Sequence, residues 1–287
     1  MPPRWRALRP GLVVALVAVV ALVAFAVHAA RSDPPPPPLG MSAAAASPSS
    51  EPTTAGAGAA ARPDLLRGRT VLLDPGHNGG NAKAPAAINR KVLAGGIAKE
   101  CDTVGSQTTA GYPEHAFTFD VVTRVAALLR DRGATVVLTR ADDNGVGPCI
   151  DERARIGNDA HADAAVSVHA DGGPASGTGF HVIAPSLSPD GGNAAILAPS
   201  ARLADAVGAA FERNTGETRA DYIAHDGLSF RTDLGGLNLS RVPKVFIECA
   251  NMRNPADAAR VSDPAWRGRA AQGITDGIIA FLTAPPS

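Results

Sequence analysis

The chain has 287 residues, with 27 basic and 27 acidic side chains and a formal charge of zero at pH 7. That length holds one core of moderate size plus extra segments, and the even charge balance argues against a nucleic-acid partner. No polybasic tract follows residue 31.

Residues 1–30 follow a pattern of their own: Arg4, Arg6 and Arg9, an apolar stretch at 12–27, then Ala29 and Ala30. This is the order of a secretory signal peptide. The apolar stretch is short for a spanning helix, which needs about 20 residues, so cleavage is favoured over an uncleaved N-terminal anchor. Such an anchor is the one link to a membrane that the sequence offers. In either form the body of the protein is expected to be exported. Without Arg4, Arg6 and Arg9 the basic count falls from 27 to 24 against 27 acidic, so capture of an anionic polymer by charge is not its main device. Residues 31–65 carry five prolines at 34–38 and then an Ala-, Ser-, Thr-, Pro- and Gly-rich tract. They hold too few large apolar groups to offset ordering entropy and are expected to be a disordered linker, stiff at its start. Residues 66–284 remain as a single folded domain.

The domain opens on an apolar run at 71–73 that stops at Asp74-Pro75-Gly76-His77. A buried strand ending in a tight turn is expected, with His77 beyond its carboxyl end. In open α/β sheets that edge is where ligands bind. The segment 79–111 is polar, contains Gly95, Gly96 and Cys101, and is too long for an ordinary connection; a flap beside the site is expected. Pro113 opens a helix whose face carries Glu114, Phe117, Val121, Val125 and Leu128 and which ends at Gly133. Glu114 begins that buried stripe, although a carboxylate in a first turn also complements the helix dipole.

A second strand is expected at 135–138, then a loop at 140–148 and a polar helix at about 150–161. The apolar run 164–168 is a buried strand with His169 at its carboxyl end, repeating the placement of His77. Another strand follows at 177–184, and Leu203, Val207 and Phe211 mark a helix face that Asn214 and Gly216 stop. Residues 217–242 are weakly patterned and form a second loop region over the site. A final strand at 244–248 ends on Glu248, and a helix at about 265–282 closes the chain. Strands alternating with helices make an α/β fold, a mostly parallel twisted sheet with helices on both faces. Of the three cysteines, Cys249 lies in the apolar run 245–249 and is expected buried and unpaired. Cys101 and Cys149 lie in loop-like sequence and are the expected disulfide of an exported protein.

His77, His169 and Glu248 thus emerge at carboxyl ends of strands, and Glu114 begins the helix returning from the first of them. Two imidazoles and one carboxylate are a donor set for catalytic Zn²⁺ that leaves a position for water. The second carboxylate can move the water's proton. Spacing leaves open which glutamate binds metal, since neither lies in a compact His-Glu-x-x-His helix.

Four segments carry a more specific likeness: 73–79 (Leu-Asp-Pro-Gly-His-Asn-Gly), Glu114 opening a helix, 166–171 (Val-Ser-Val-His-Ala-Asp) and 243–248 (Pro-Lys-Val-Phe-Ile-Glu). Together they resemble the zinc-dependent N-acetylmuramoyl-L-alanine amidases of bacterial cell walls, the Amidase_3 group, over about residues 68–284. Arg153, Asn158 and Asp163 fit that family's approach to its second histidine. The resemblance implies one Zn²⁺ per chain on His77, Glu114 and His169, with Glu248 as general base and acid. It implies hydrolysis of the amide between N-acetylmuramic acid and L-alanine in peptidoglycan or muropeptides, in the bacterial cell envelope or outside the cell. Wall remodelling, turnover and daughter-cell separation are the corresponding roles.

The chain departs from the family at Asp171-Gly172-Gly173, where many relatives are Ala- or Asn-rich, and in the glycine-rich segment before the last strand. No repeated wall-binding module is evident, so small muropeptide fragments are expected to suit it better than intact polymer. Candidate substrate contacts are Asn78, Asp171, His225 and Asn251; His225 either touches substrate or bonds within its own loop, and Asn251 either positions the peptide or stabilises a turn. His115 is expected to face loop or solvent, and His161 and His181 to be structural. A monomer is expected. Two other functions fit less well: a zinc carboxypeptidase, which needs a basic clamp such as Arg231 or Arg241, and a non-catalytic envelope-binding protein, which has no use for all four site residues.

Overall fold

The computed structural model describes residues 64–285. The signal or anchor expected at 1–30 and nearly all of the linker expected at 31–65 lie outside the described residues. The strands are β1 (Thr70–Pro75), β2 (Lys91–Leu93), β3 (Ala98–Glu100), β4 (Thr135–Leu138), β5 (Ala164–Asp171), β6 (His181–Pro185), β7 (Leu228–Arg231) and β8 (Lys244–Asn251). The helices are α1 (Pro85–Ile88), α2 (Glu114–Arg130), α3 (Ile150–Asp159), α4 (Leu197–Thr215), α5 (Gly235–Asn238), α6 (Pro255–Ser262) and α7 (Pro264–Thr283).

Six strands form one sheet in the order β4-β1-β5-β8-β6-β7, and β2 and β3 pair as a separate hairpin. β4, β1, β5 and β8 run parallel, whereas β6 lies antiparallel to β8 and carries β7 parallel to itself. The sheet is therefore mostly parallel with a reversed two-strand edge.

Alternation along the strands sorts the two faces. Val71, Leu73, Val166, Val168, Val245 and Ile247 point into the main core, against Phe117 and Val121 of α2, Phe211 of α4 and Trp266 and Ile274 of α7. Here α4 and α7 meet backbone to backbone, because a Cβ added at Gly277 would lie 2.5 Å from Val207 Cα. The opposite face has a small apolar cluster, Leu72 and Ala165 under Ile156 of α3. Farther along the same face the strands carry Asp74, Ser167, His169, Lys244, Phe246 and Glu248. One face thus supplies burial, and the carboxyl end of the other supplies polar side chains.

Several boundaries differ from the sequence expectation. The segment 79–111, expected as a flap beside the site, does lie there, with Thr103 against His77 and the Ser106 N–H on Glu114, and it is built from a 3-10 turn, α1 and the β2–β3 hairpin. Pro113 stands just before α2 in extended backbone, so Glu114 is its first helical residue. The strand expected at 177–184 begins only at His181. His169 and Glu248 lie inside their strands because the β5–β8 pairing continues through His169 and Glu248 to Asp171 and Asn251. The region 217–242 holds β7 and α5, and α6 was not foreseen. β7 is a four-residue edge strand that leaves Phe230 exposed, so it lacks a buried pattern.

Candidate metal centre

The turn after β1 is gripped by two arginines. Buried Arg153 donates to the carbonyls of Pro75 and His77, and Arg140 to those of Pro75 and Gly76. His77 itself has φ +60°, a strained value for a side-chain-bearing residue, and persists because its surroundings over-determine it. Arg153 also bridges Asp74 at 2.8 Å and Asp102 at 3.2 Å, which fixes one ring partner of His77. That ring's Nδ1 lies 3.1 Å from the Thr103 carbonyl oxygen and 3.3 Å from Asp102 Oδ1. Its Nε2 faces Glu114 Oε1 at 3.2 Å. A histidine tethered through one nitrogen presents the other in a fixed direction, as metal ligands do.

Glu114 is buried at the start of α2. Its Oε2 accepts the Ser106 N–H at 2.6 Å, and its Oε1 lies 2.9 Å from His169 Nδ1. Burial opposes its charge, but the two imidazoles beside it hold the carboxyl well below the usual range. His77 responds in the other direction: burial disfavours its cation, yet Glu114 and Asp102 push its pKa up to about 10. His169 stacks on Phe246 with centroids 5.1 Å apart and meets His77 edge-on at 5.0 Å. Ligand atoms of His77, Glu114 and His169 all lie within 4.8 Å of one another.

Glu248 is the cross-strand partner of His169. Its Oε2 is sealed from solvent without a hydrogen-bond partner. Burial, together with the carboxylates of Glu114 and Asp171, raises its pKa well above the ordinary glutamate value. Two hollows flank the group. One runs past His169, Phe246 and Gly236 to Asp233. The other, the larger, is bounded by Asn78, Gly105, Ser106, His115 and Arg253.

Residues 71–280 match the N-acetylmuramoyl-L-alanine amidase family. This chain belongs to that family. An N-acetylmuramoyl-L-alanine amidase of Mycobacterium tuberculosis is 43% identical over 227 residues, spanning 78% of this chain and 90% of that protein. The crystal structure of the amidase Ami1 from Mycobacterium smegmatis superposes with a TM-score of 0.71 at 44% identity, covering 76% of this chain and 98% of that one. The apo form of Ami1 from Mycobacterium abscessus gives the same score and identity over 76% and 100%.

Within this amidase fold the other expected residues separate. The Cys101–Cys149 disulfide is formed and Cys249 is free and buried. Asp171 stands beside the site, where its Oδ2 accepts the Tyr222 hydroxyl at 3.1 Å. Asn78 borders the larger hollow but spends its side-chain oxygen on the Gly79 N–H. Asn251 is fully buried, donating to Pro174 and Gly177 carbonyls and accepting from the Arg253 N–H; it braces a loop and offers no polar atom to a ligand. His225 lies on an exposed turn, its backbone paired with Leu228. His115 bonds the loop residue Asp143 at 2.7 Å. Asn158 and Asp163 brace backbone at Leu239, Arg241 and Thr70. Asp102, Thr103 and Ser106, which orient the centre, had no signal in the loop sequence. Nor did Tyr222. His181 is the one polar side chain in an otherwise apolar strand.

Proposed function

We propose that this chain is a zinc-dependent hydrolase of the amide between N-acetylmuramic acid and L-alanine in peptidoglycan or its fragments. The observation that carries the reading is the convergence of His77, Glu114 and His169 within 4.8 Å, with Glu248 paired to His169 on the neighbouring strand. The residues fit the metal: two imidazoles, one of them oriented through its far nitrogen, and one buried carboxylate match a catalytic Zn²⁺ donor set. When bound, Zn²⁺ polarises the substrate carbonyl and lowers the pKa of water to about 7.

Glu248 supplies the proton traffic. Burial and the neighbouring carboxylates raise its proton affinity above that of an ordinary glutamate, which suits a group that accepts a proton and returns it. It takes a proton as water adds to the lactyl carbonyl carbon, then delivers it to the alanine nitrogen as the C–N bond breaks. The products are the free muramic carboxylic acid and a peptide with a new L-alanine amine. A carboxypeptidase has less support, because its candidate clamp Arg231 is already paired through two nitrogens with Asp233. Arg241 is exposed and anchored by its backbone to Asn158.

We further assign residues 1–30 to a signal peptide or anchor, 31–65 to a linker and 66–284 to the catalytic domain, acting as a monomer in the cell envelope or outside the cell. The deciding experiment is digestion of muramyl-L-Ala-D-isoGln by the purified chain, followed by mass spectrometry, with chelator and with zinc added back. Free muramic acid and an L-Ala-led dipeptide appearing only with metal are expected. A zinc-loaded chain that leaves this substrate and longer muropeptides intact overturns the reading.

A further inference from the structure

The two hollows that flank the candidate metal centre differ in charge. The one past Phe246 is bordered by Asp74, Glu100, Asp102 and Asp233 against Lys99 and Arg153, and Arg153 is already engaged with Asp74 and Asp102. The larger one has no acidic residue on its walls. Its one lysine or arginine is Arg253, which shares the wall with the neutral hydrogen-bonding residues Ser106, Gln107 and Thr109.

The larger hollow begins at the candidate ligands themselves. Gly105 on its wall has φ +85°, and a Cβ added there would lie 2.7 Å from His77 Cδ2 and 2.9 Å from Glu114 Oε2. Arg253 joins that wall from the end of β8, where the Met252 N–H donates to the Asp171 carbonyl at 2.8 Å and the Arg253 N–H to Asn251 Oδ1 at 3.0 Å. Asn251 is itself fully buried and held on the Pro174 and Gly177 carbonyls. The backbone of Arg253 is thus fixed, while its exposed side chain makes no ion pair or hydrogen bond among the described residues. A guanidinium on a fixed base is a planar fork of donors that matches a carboxylate through two bonds.

We propose that the stem peptide leaves the scissile amide through the larger hollow and that Arg253 binds its free carboxylate, which makes Arg253 a specificity-determining residue for anionic peptides. This rests on the amidase reading. In muramyl-L-Ala-D-isoGln the lactyl carboxyl is held in the scissile amide, so the isoglutaminyl carboxylate is the only anion. It lies about 7 Å or more beyond the scissile nitrogen, a span comparable with the rise of about 10 Å from Glu248 to Asn251 along β8. Laid the other way, the same carboxylate would meet Glu100 and Asp233, and like charges set together oppose binding.

The test compares two substrates of the zinc-loaded chain, muramyl-L-Ala-D-isoGln and the same compound with its carboxylate converted to the amide. The parent is expected to favour the carboxylate form by about 10-fold in kcat/KM, carried by KM with kcat nearly equal. In Arg253→Gln that ratio falls to about one, and in Arg253→Glu it inverts, both variants melting with the parent because the side chain bonds nothing in the fold. A parent without the preference, or an Arg253→Gln variant that keeps it, overturns the proposal; so does an Arg253→Glu variant that still favours the carboxylate. Calorimetric binding of both compounds, with Glu248→Gln in the background to stop cleavage, reads the same ratio as affinity. A parent that cleaves neither compound sinks the amidase reading, whereas cleavage of both at equal kcat/KM sinks only the role of Arg253.

Discussion

Burial and the nearby Glu114 and Asp171 carboxylates raise the Glu248 pKa, so ionised Glu248 destabilises the metal-free fold relative to the unfolded chain. A carboxyl whose folded pKa lies above its unfolded value stabilises the fold at low pH and loses that contribution as pH rises through the folded pKa. Glu248→Gln removes the charge altogether. It is expected to cut turnover by about 100- to 10,000-fold and to raise the melting temperature of the metal-free protein at pH 7, with little gain near about pH 4, where the parent carboxyl is already protonated. Thermal melts at the two pH values check the sign; an unchanged melting temperature at pH 7 contradicts it. Gly76 is constrained differently, since an added Cβ would sit 2.2 Å from His169 Cε1 and 2.5 Å from its Nδ1. Gly76→Ala is therefore expected to displace the imidazole and abolish zinc retention while the sheet stays folded, read by metal analysis beside circular dichroism. The convergence of His77, Glu114, His169 and Glu248 was legible because each stands at one end of an apolar run whose period is readable. The placement of His181 opposite Glu248 was not, because it depends on strand order.

Among the elements, the hairpin and α3 brace the same histidine from two directions. Cys101 immediately precedes Asp102 and Thr103, which hold the His77 ring, and Cys149 immediately precedes α3, whose Arg153 holds the His77 carbonyl. The disulfide joins those two anchors across 48 residues, and closing a loop of that length in the unfolded chain contributes about 4 kcal/mol by the chain-entropy argument. The paired change Cys101→Ser and Cys149→Ser is expected to lower stability by about 2–5 kcal/mol and to weaken zinc affinity, because the loss falls on the segments that orient His77. Denaturant unfolding and zinc titration measure the two effects; lost stability with parental zinc affinity contradicts the link between them. This bridge was legible from the loop-like setting of its cysteines, and α2, α4 and α7 from their helical spacing. The internal structure of 79–111 was not. α1 and strands β2 and β3 have only four, three and three residues, too short for periodicity to declare itself.

Over the whole domain, the polar face of the sheet is tied together beneath the candidate metal centre by one carboxylate. Asp74 of β1 accepts from Thr139 after β4, Arg153 of α3, Ser167 of β5 and Lys244 of β8. The sequence displayed Asp74 only as part of a turn motif. Its role became visible once strand order β4-β1-β5-β8 brought four distant segments around it. Burial opposes the Asp74 charge, but the Lys244 and Arg153 cations hold its carboxyl far below the ordinary range. A folded pKa depressed in this way contributes stability that is fully present above the unfolded value of about 4 and is lost as pH falls toward the folded pKa. The Asp74 contribution to the melting temperature is therefore expected to be nearly constant from about pH 5 to 8 and to be lost steeply below about pH 4. Asp74→Asn leaves two buried cations short of their counter-charge, a defect worth about 3–5 kcal/mol, or roughly 10 °C in a domain of this size. Because four segments share that carboxylate, the variant should unfold at lower temperature as one cooperative unit, with circular dichroism and tryptophan fluorescence changing together, and its melting temperature should vary less than the parent's in acid. Separate transitions for the two signals would show instead that Asp74 holds only the His77 turn.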